Sequence, residues 1–195
     1  MAEEQARSAD GRRRRSESSR DKIVAAMIAL VGEGKVAPSA EQVAIRAEVG
    51  LRSVFRHFKD MESLFAEMTA RLARQYEMWL VPYESTDWRG QLGETIERRT
   101  RTYDRLMPFK RAADAHRHAS ASIQAEYVRS LTYMRARLKS ILPAAITDDV
   151  LTFEAIDLLL SFETWQRLRM EQGLSTELAE AVLRALVDRL VEPGQ

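Results

Sequence analysis

From Arg20 to Val191 the apolar residues recur at three- and four-residue spacing, with few runs of β-branched alternation. That period restricts the chain to packed helices. Ile23, Met27, Leu30 and Val31 make a first stripe, opened by Ser18 or Ser19 and closed by Gly32 and Gly34. After Pro38, Ser39 and Gln42 are spaced as a capping box, so a short helix starts just past Ser39, with Val43, Ala44 and Ala47 as its apolar stripe. A turn at Glu48 to Gly50 leads into a second short helix, about Leu51 to Phe58, whose buried side is Val54 and Phe58. Asp60 caps a fourth helix that buries Leu64, Met68, Leu72 and Tyr76 and runs to about Leu80. Beyond Pro82 the pattern predicts a helix from Asp87 to Leu106 that stops before Pro108, and a short piece from Phe109 to Arg117. Three longer helices follow, at Ser120 to Leu142, Asp148 to Gln172 and Ser175 to Val191.

The expectation is an all-α protein of about nine helices. Residues 1–19 form a disordered basic arm, 20–65 a small three-helix head and 66–195 a larger helical body.

The net charge of +1 hides a division. Gly11 to Lys59 holds eleven Lys and Arg against five Asp and Glu, whereas Met61 to Gln195 holds eighteen against twenty. The basic surplus belongs to the head and arm, which points to a polyanionic partner. In the second short helix the side opposite Val54 and Phe58 carries Leu51, Arg52, Ser53, Phe55 and Arg56. A short helix, a tight turn and a second helix with an apolar inner and a basic outer face will press that second helix into a groove of a polyanion. A helical hairpin with solvated arginines has the same pattern. The run Arg12, Arg13, Arg14 and Arg15 either follows phosphates or enters a minor groove, or is a solvated tail.

Several classes of function fall away. With no cysteine there is no disulfide framework, thiolate nucleophile or cysteine-ligated metal. No apolar run approaches a membrane span, and the arginine block lacks the apolar segment of a signal peptide, so the expectation is a cytoplasmic protein without a membrane partner. The three histidines, His57, His116 and His118, make no Glu-x-x-His pair, and no Gly-x-Ser-x-Gly elbow occurs. "GEGK" at Gly32 to Lys35 ends like a phosphate-binding loop, but Ala29 replaces its first glycine, Val36 its hydroxyl residue, and a helix precedes it. The chain is read as no enzyme, with no metal and no cofactor.

In the body, Phe153, Ile156, Leu158, Leu159, Leu160, Phe162 and Trp165 point in nearly every direction around one long helix. With the last helix close behind, this hairpin is expected to pair with its own copy as a four-helix bundle through Leu159, Phe162, Trp165, Leu178, Val182 and Leu186. The alternative is that both helices fill the core of a monomer.

The stretch "VAIRAEVGLRSVFRHFKDMESLF" with its preceding helix resembles the TetR family of bacterial transcriptional regulators over about Arg20 to Phe65. Val43 and Ala44, Ala47 and Val49, Ser53 and Val54, and His57 and Phe58 fall on the family's helix-turn-helix signature, and "SFETWQRLRMEQGLS" looks like the eighth helix of some members. Glu48 stands at the family's turn glycine, Gly50 at its capping serine, Phe55 at a tyrosine that commonly bonds a phosphate, and Met61 at a lysine. The resemblance implies a homodimer on double-stranded operator DNA with the Leu51 helix in the major groove. Arg52 would contact guanine, Ser39, His57 and Lys59 would hold phosphates, and Arg56 and Lys59 would restore the displaced contacts. It also implies a small-molecule effector of unknown identity, bound in the body. Trp79, Tyr103, Met107, Phe109, Tyr127 and Met134 would surround it, with Asp157 and Ser161 on a polar stripe of the long helix. Taken singly, those aromatics fit an ordinary core and the stripe a solvated edge. The remaining reading is an all-helical scaffold for a protein partner, with no specific DNA target.

Overall fold

The computed structural model describes residues 2–75, 81–118 and 120–192, with side chains from Glu17 onward except Gln75. Among them are ten α-helices and no strand: α1 (Ala2–Gly32), α2 (Ala40–Ala47), α3 (Leu51–His57), α4 (Met61–Gln75), α5 (Trp88–Arg117), α6 (Ala121–Ile141), α7 (Ala144–Thr147), α8 (Val150–Leu159), α9 (Phe162–Gln166) and α10 (Thr176–Val191). A π-helical turn, Arg167–Glu171, extends α9. The chain divides into two compact units. The head unit comprises residues 1–75 and 108–124, and the body unit residues 76–107 and 125–195.

In the head unit α1 packs on α2, α3 and α4. Ile23, Met27, Leu30 and Val31 are buried as their stripe requires, against Val43, Ala44, Ala47, Val54, Phe58, Leu64, Phe65 and Met68. The end of α5 joins this unit: a Cβ at Gly32 would stand 3.4 Å from the Phe109 ring, and the His116 ring meets that of Phe65 with centroids 5.1 Å apart. The head is therefore larger than residues 20–65, because the boundary expected at Phe65 falls inside α4 and a distant segment completes the packing. The arm expected to be disordered is the first part of α1, which contains no proline to stop a helix running back to Ala2.

The body unit has two adjoining apolar clusters. Leu92, Ile96, Leu138, Phe153, Ile156, Leu160 and Val187 form one. Tyr103, Met107, Phe162, Trp165, Leu168 and Leu183 form the other. Two expected helix ends are displaced. Pro108 does not end α5, which continues to Arg117 although the proline gives up the bond to the Asp104 carbonyl. Burial of Met107 and Ala112 on either side keeps the helical course, and the division between the units falls at that proline. Conversely, the long helix expected from Asp148 to Gln172 is broken at Leu160 and Ser161. Ser161 adopts an extended conformation (φ −77°, ψ 159°) and its hydroxyl accepts from Thr164 N, which restarts the chain as α9. The signal was in the sequence: a serine followed by an acid in the next turn is a helix start even inside an apolar run. Gly173, at φ +68°, ends the π turn as its position predicted.

Candidate nucleic-acid interface

The α2–turn–α3 segment is built by its own caps. Ser39 Oγ accepts from Gln42 N at 3.3 Å and Gln42 Oε1 accepts from Ser39 N at 3.1 Å, the reciprocal pair that fixes where α2 starts. Glu48 closes α2 in the left-handed region at φ 56°, with its N–H on the Ala44 and Ile45 carbonyls. The turn therefore keeps its geometry with a glutamate where a glycine would be unstrained. Gly50 is extended (φ −70°, ψ 147°) and caps α3 without a side-chain bond. Asp60 and Ser63 repeat the reciprocal cap at the start of α4, with Ser63 N 2.8 Å from Asp60 Oδ1 and Asp60 N 3.3 Å from Ser63 Oγ.

Val54 and Phe58 are buried, so the orientation of α3 is fixed and its other residues face outward. Arg52, Arg56 and Lys59 are exposed. None forms an ion pair among the described residues, and Arg56 reaches Ser53 Oγ at 3.4 Å. Two other head arginines are occupied: Arg46 makes a two-pronged contact with Glu33, both bonds 2.7 Å, and Arg20 holds Glu67 at 2.8 Å while lying over the Phe58 ring. α3 and the residue two beyond it thus carry three exposed cations, Arg52, Arg56 and Lys59, with no ion-pair partner among the described residues. Ser39 is exposed at the start of α2, where the Glu41 carboxyl is held below the usual range first by its own backbone N–H and then by the Ser39 hydroxyl. His57 is half-buried. Its Nε2 is enclosed without a hydrogen-bond partner, and burial, with Arg56 and Arg20 nearby, depresses its pKa and favours the neutral ring. The side chains of Arg12 to Arg15 lie outside the described residues.

Of the residues expected to surround an effector, Tyr103, Met107 and Met134 are brought together and the other described ones are not. Phe109 belongs to the head unit, and Trp79 lies outside the described residues. Tyr103 and Met107 are buried in the second body cluster, with the Tyr103 ring edge-on to Phe162 at 5.5 Å and its hydroxyl on the Leu160 carbonyl at 3.1 Å. That hydroxyl is also 3.5 Å from Met134 Sδ. Tyr127 donates to Glu163 at 3.2 Å. Asp157 is paired with Arg135 at 2.9 Å, which also holds Glu154, and Ser161 is occupied as the cap of α9. A groove of about 550 Å³ opens in the head unit, lined by Lys59, Asp60, Glu62, Ser63, Glu67 and Ser122 among others, and it involves none of these effector candidates.

The dimer candidates divide as well. Phe162 and Trp165 are 3% and 0% exposed. They fill the core of their own unit because the break at Ser161 turns α9 inward, so they present no face to a partner. Leu159 and Val182 are half-buried against the clusters. Leu178 and Leu186 on α10 are exposed, and so are Leu151 and Leu158 on α8, the helix against which α10 packs.

Sequence reasoning missed two long-range polar contacts, one buried and one half-buried. Arg99, 4% exposed, donates to the Leu160 carbonyl at 3.0 Å and the Met134 carbonyl at 2.8 Å. Asp104 accepts from Trp165 Nε1 at 3.0 Å, Arg169 Nε at 3.0 Å and Thr176 Oγ1 at 2.7 Å. A helical period cannot announce either, since their partners are more than thirty residues away.

No protein-family model matches the sequence, and no curated protein matches it. The fold has counterparts among solved structures. A TetR transcription regulator from Haloarcula marismortui ATCC 43049 aligns with a TM-score of 0.69 at 13% identity, covering 88% of this chain and 97% of that one. A transcriptional regulator from Rhodococcus sp. Rha1 aligns at 0.66 and 15%, covering 88% and 95%. A TetR transcriptional regulator from Rhodococcus sp. RHA1 aligns at 0.53 and 18%, covering 91% and 99%. At these identities the likeness is one of architecture, and the chain has a TetR-like, all-α, two-domain fold. Among the described residues no helix is long and apolar enough to cross a membrane.

Proposed function

We propose that this chain is a sequence-specific DNA-binding transcriptional regulator of the TetR type, working in the cytoplasm as a homodimer. The observation that carries the reading is α3. Its inner side is anchored by Val54 and Phe58, and its outer side bears cations with no ion-pair partner among the described residues, on a unit that holds the chain's basic surplus. In this reading α3 lies in the major groove, Arg52 reaches a guanine edge, and Ser39, Arg56 and Lys59 hold the flanking phosphates. His57 would reach a phosphate only with the ring atom other than its enclosed Nε2. Arg12 to Arg15 add phosphate contacts through the first part of α1.

The dimer is formed by α8 and α10 of each protomer, whose exposed Leu151, Leu158, Leu178 and Leu186 are surface that a monomer would leave in water. Regulation is repression, relieved or imposed by a small molecule in the body near Tyr103, Met107 and Met134, where aromatic and thioether groups meet beside the break between α8 and α9.

Selection of binding sites from random duplex DNA with the full-length protein tests the core of this reading. The expected result is an inverted repeat whose half-sites lie about one helical turn apart. Recovery of a pool with no enriched sequence overturns it.

A further inference from the structure

α3 carries more exposed hydrocarbon than a helix facing water needs. Phe55 is 50% exposed and Leu51 39%. The two are one turn apart, so they line one edge of the helix, beside the ridge made by Arg52 and Arg56. The opposite edge is Ser53 and His57, both half-buried. The outward surface of α3 is therefore an apolar edge against a cationic ridge. Its composition matters as much as its shape, because "LRSVFRH" contains no Asn, Gln, Asp or Glu. In the major groove, adenine is read by the paired donor and acceptor of Asn or Gln, and the cytosine amino group by a carboxylate. α3 has neither. The base features left for it are the two acceptors of guanine, which suit arginine, and the C5-methyl group, the one apolar feature a base pair presents there.

The geometry points to a C5-methylpyrimidine as the second thing this helix reads. Leu51 and Phe55 pack on the methyl of a thymine, or equally of a 5-methylcytosine, next to the guanine contacted by Arg52. This rests on the DNA-binding reading above and adds to it the identity of a base. The charge on the same face argues for DNA as the occupant of the apolar edge. Any partner covering Phe55 also meets Arg52 and Arg56, and a groove floor between two phosphate backbones supplies a hydrocarbon contact with anions on either side.

The test uses the full-length protein and a duplex obtained by selection. Each thymine is replaced in turn by deoxyuridine, which deletes one methyl and leaves base pairing unchanged, and affinity is read by fluorescence anisotropy. Replacement at the position facing Leu51 and Phe55 is expected to weaken binding about three- to fivefold, the size expected for one buried methyl. Changing that pair to one with cytosine and then 5-methylcytosine should show the affinity return with the methyl. Phe55→Ala should bind the thymine and deoxyuridine duplexes alike. The wild-type comparison stands even where that variant fails to fold. Wild-type protein that prefers the selected duplex to random DNA but binds every deoxyuridine version equally well overturns this inference and leaves the regulator reading intact. Absence of any preference for the selected duplex overturns both.

Discussion

The head and the body of this chain both start helices on local caps, but only in the body is a long helix broken over a carbonyl that distant side chains hold. In the head, α2 and α4 begin where a side chain three residues along closes the first turn, Gln42 onto Ser39 and Ser63 onto Asp60. In the body, the break between α8 and α9 has a local cap in Ser161, but the carbonyl it exposes at Leu160 is held by Arg99 and Tyr103, 61 and 57 residues earlier. Helix starts are thus specified by neighbours in sequence in both units, since Asp149 and Ser175 cap α8 and α10 just as Ser39 caps α2, and what the body adds is a helix break stabilised by groups that meet only after collapse. The head holds α3 in a fixed orientation through Val54 and Phe58. The body leaves large apolar side chains exposed and a buried arginine on backbone carbonyls.

The largest expected effect of breaking this comparison lies in the body. Trp165 is fully buried and its Nε1 donates to Asp104. Trp165→Ala should cost about 3 to 5 kcal/mol, measured by urea unfolding of the full chain, because it opens a cavity and removes a donor from a shared carboxylate. A loss under about 1 kcal/mol would mean that the body is not organised around this contact.

The next separates function from folding in the head. Arg52 is exposed and makes no ion pair among the described residues. Arg52→Ala should weaken operator binding by about 1 to 3 kcal/mol and relax preference at one base pair per half-site, with stability changed by less than about 0.5 kcal/mol. Equal losses on operator and random DNA would reassign Arg52 to the phosphates.

Smaller effects test whether the head is locally specified. Ser39→Ala removes one half of the α2 capping box and should cost about 1 kcal/mol of stability in thermal or chemical unfolding. Glu48→Gly should have the opposite sign. It relieves a left-handed glutamate at φ 56° and should raise stability by no more than about 1 kcal/mol, since glycine also loosens the unfolded chain. A destabilised Glu48→Gly protein would show that the glutamate side chain does more for the turn than its backbone strain costs.

This division explains what could be read in the sequence. The bounds of α2 and α3, the burial of Val54 and Phe58 and the Asp60 cap were legible because each rests on residues within one or two turns. The passage of α5 through Pro108 was not legible, because a proline's local cost argues for a helix end, and the Leu160–Ser161 break was legible only in part, through the local Ser161 cap and not through the distant groups that hold the Leu160 carbonyl. The same limit applies to sites. The exposed face of α3 followed from its apolar period. The effector candidates gather only in part: Tyr103, Met107 and Met134 meet, whereas Asp157 is paired with Arg135, Ser161 caps α9 and Phe109 packs in the head, roles set by tertiary contacts that spacing does not encode. Phe162 and Trp165 failed as dimer residues for the same reason: the break rotates them into the core.

The most direct test of the account is the affinity of the full-length protein for a selected duplex and for a scrambled duplex of equal length and composition, followed across salt concentration. Both affinities should fall linearly with log salt, because both displace counterions, and the selected duplex should stay favoured by about a thousandfold or more at physiological salt. Equal affinities for the two duplexes at every salt concentration would contradict the claim that α3 reads sequence and would leave a basic helical scaffold in its place.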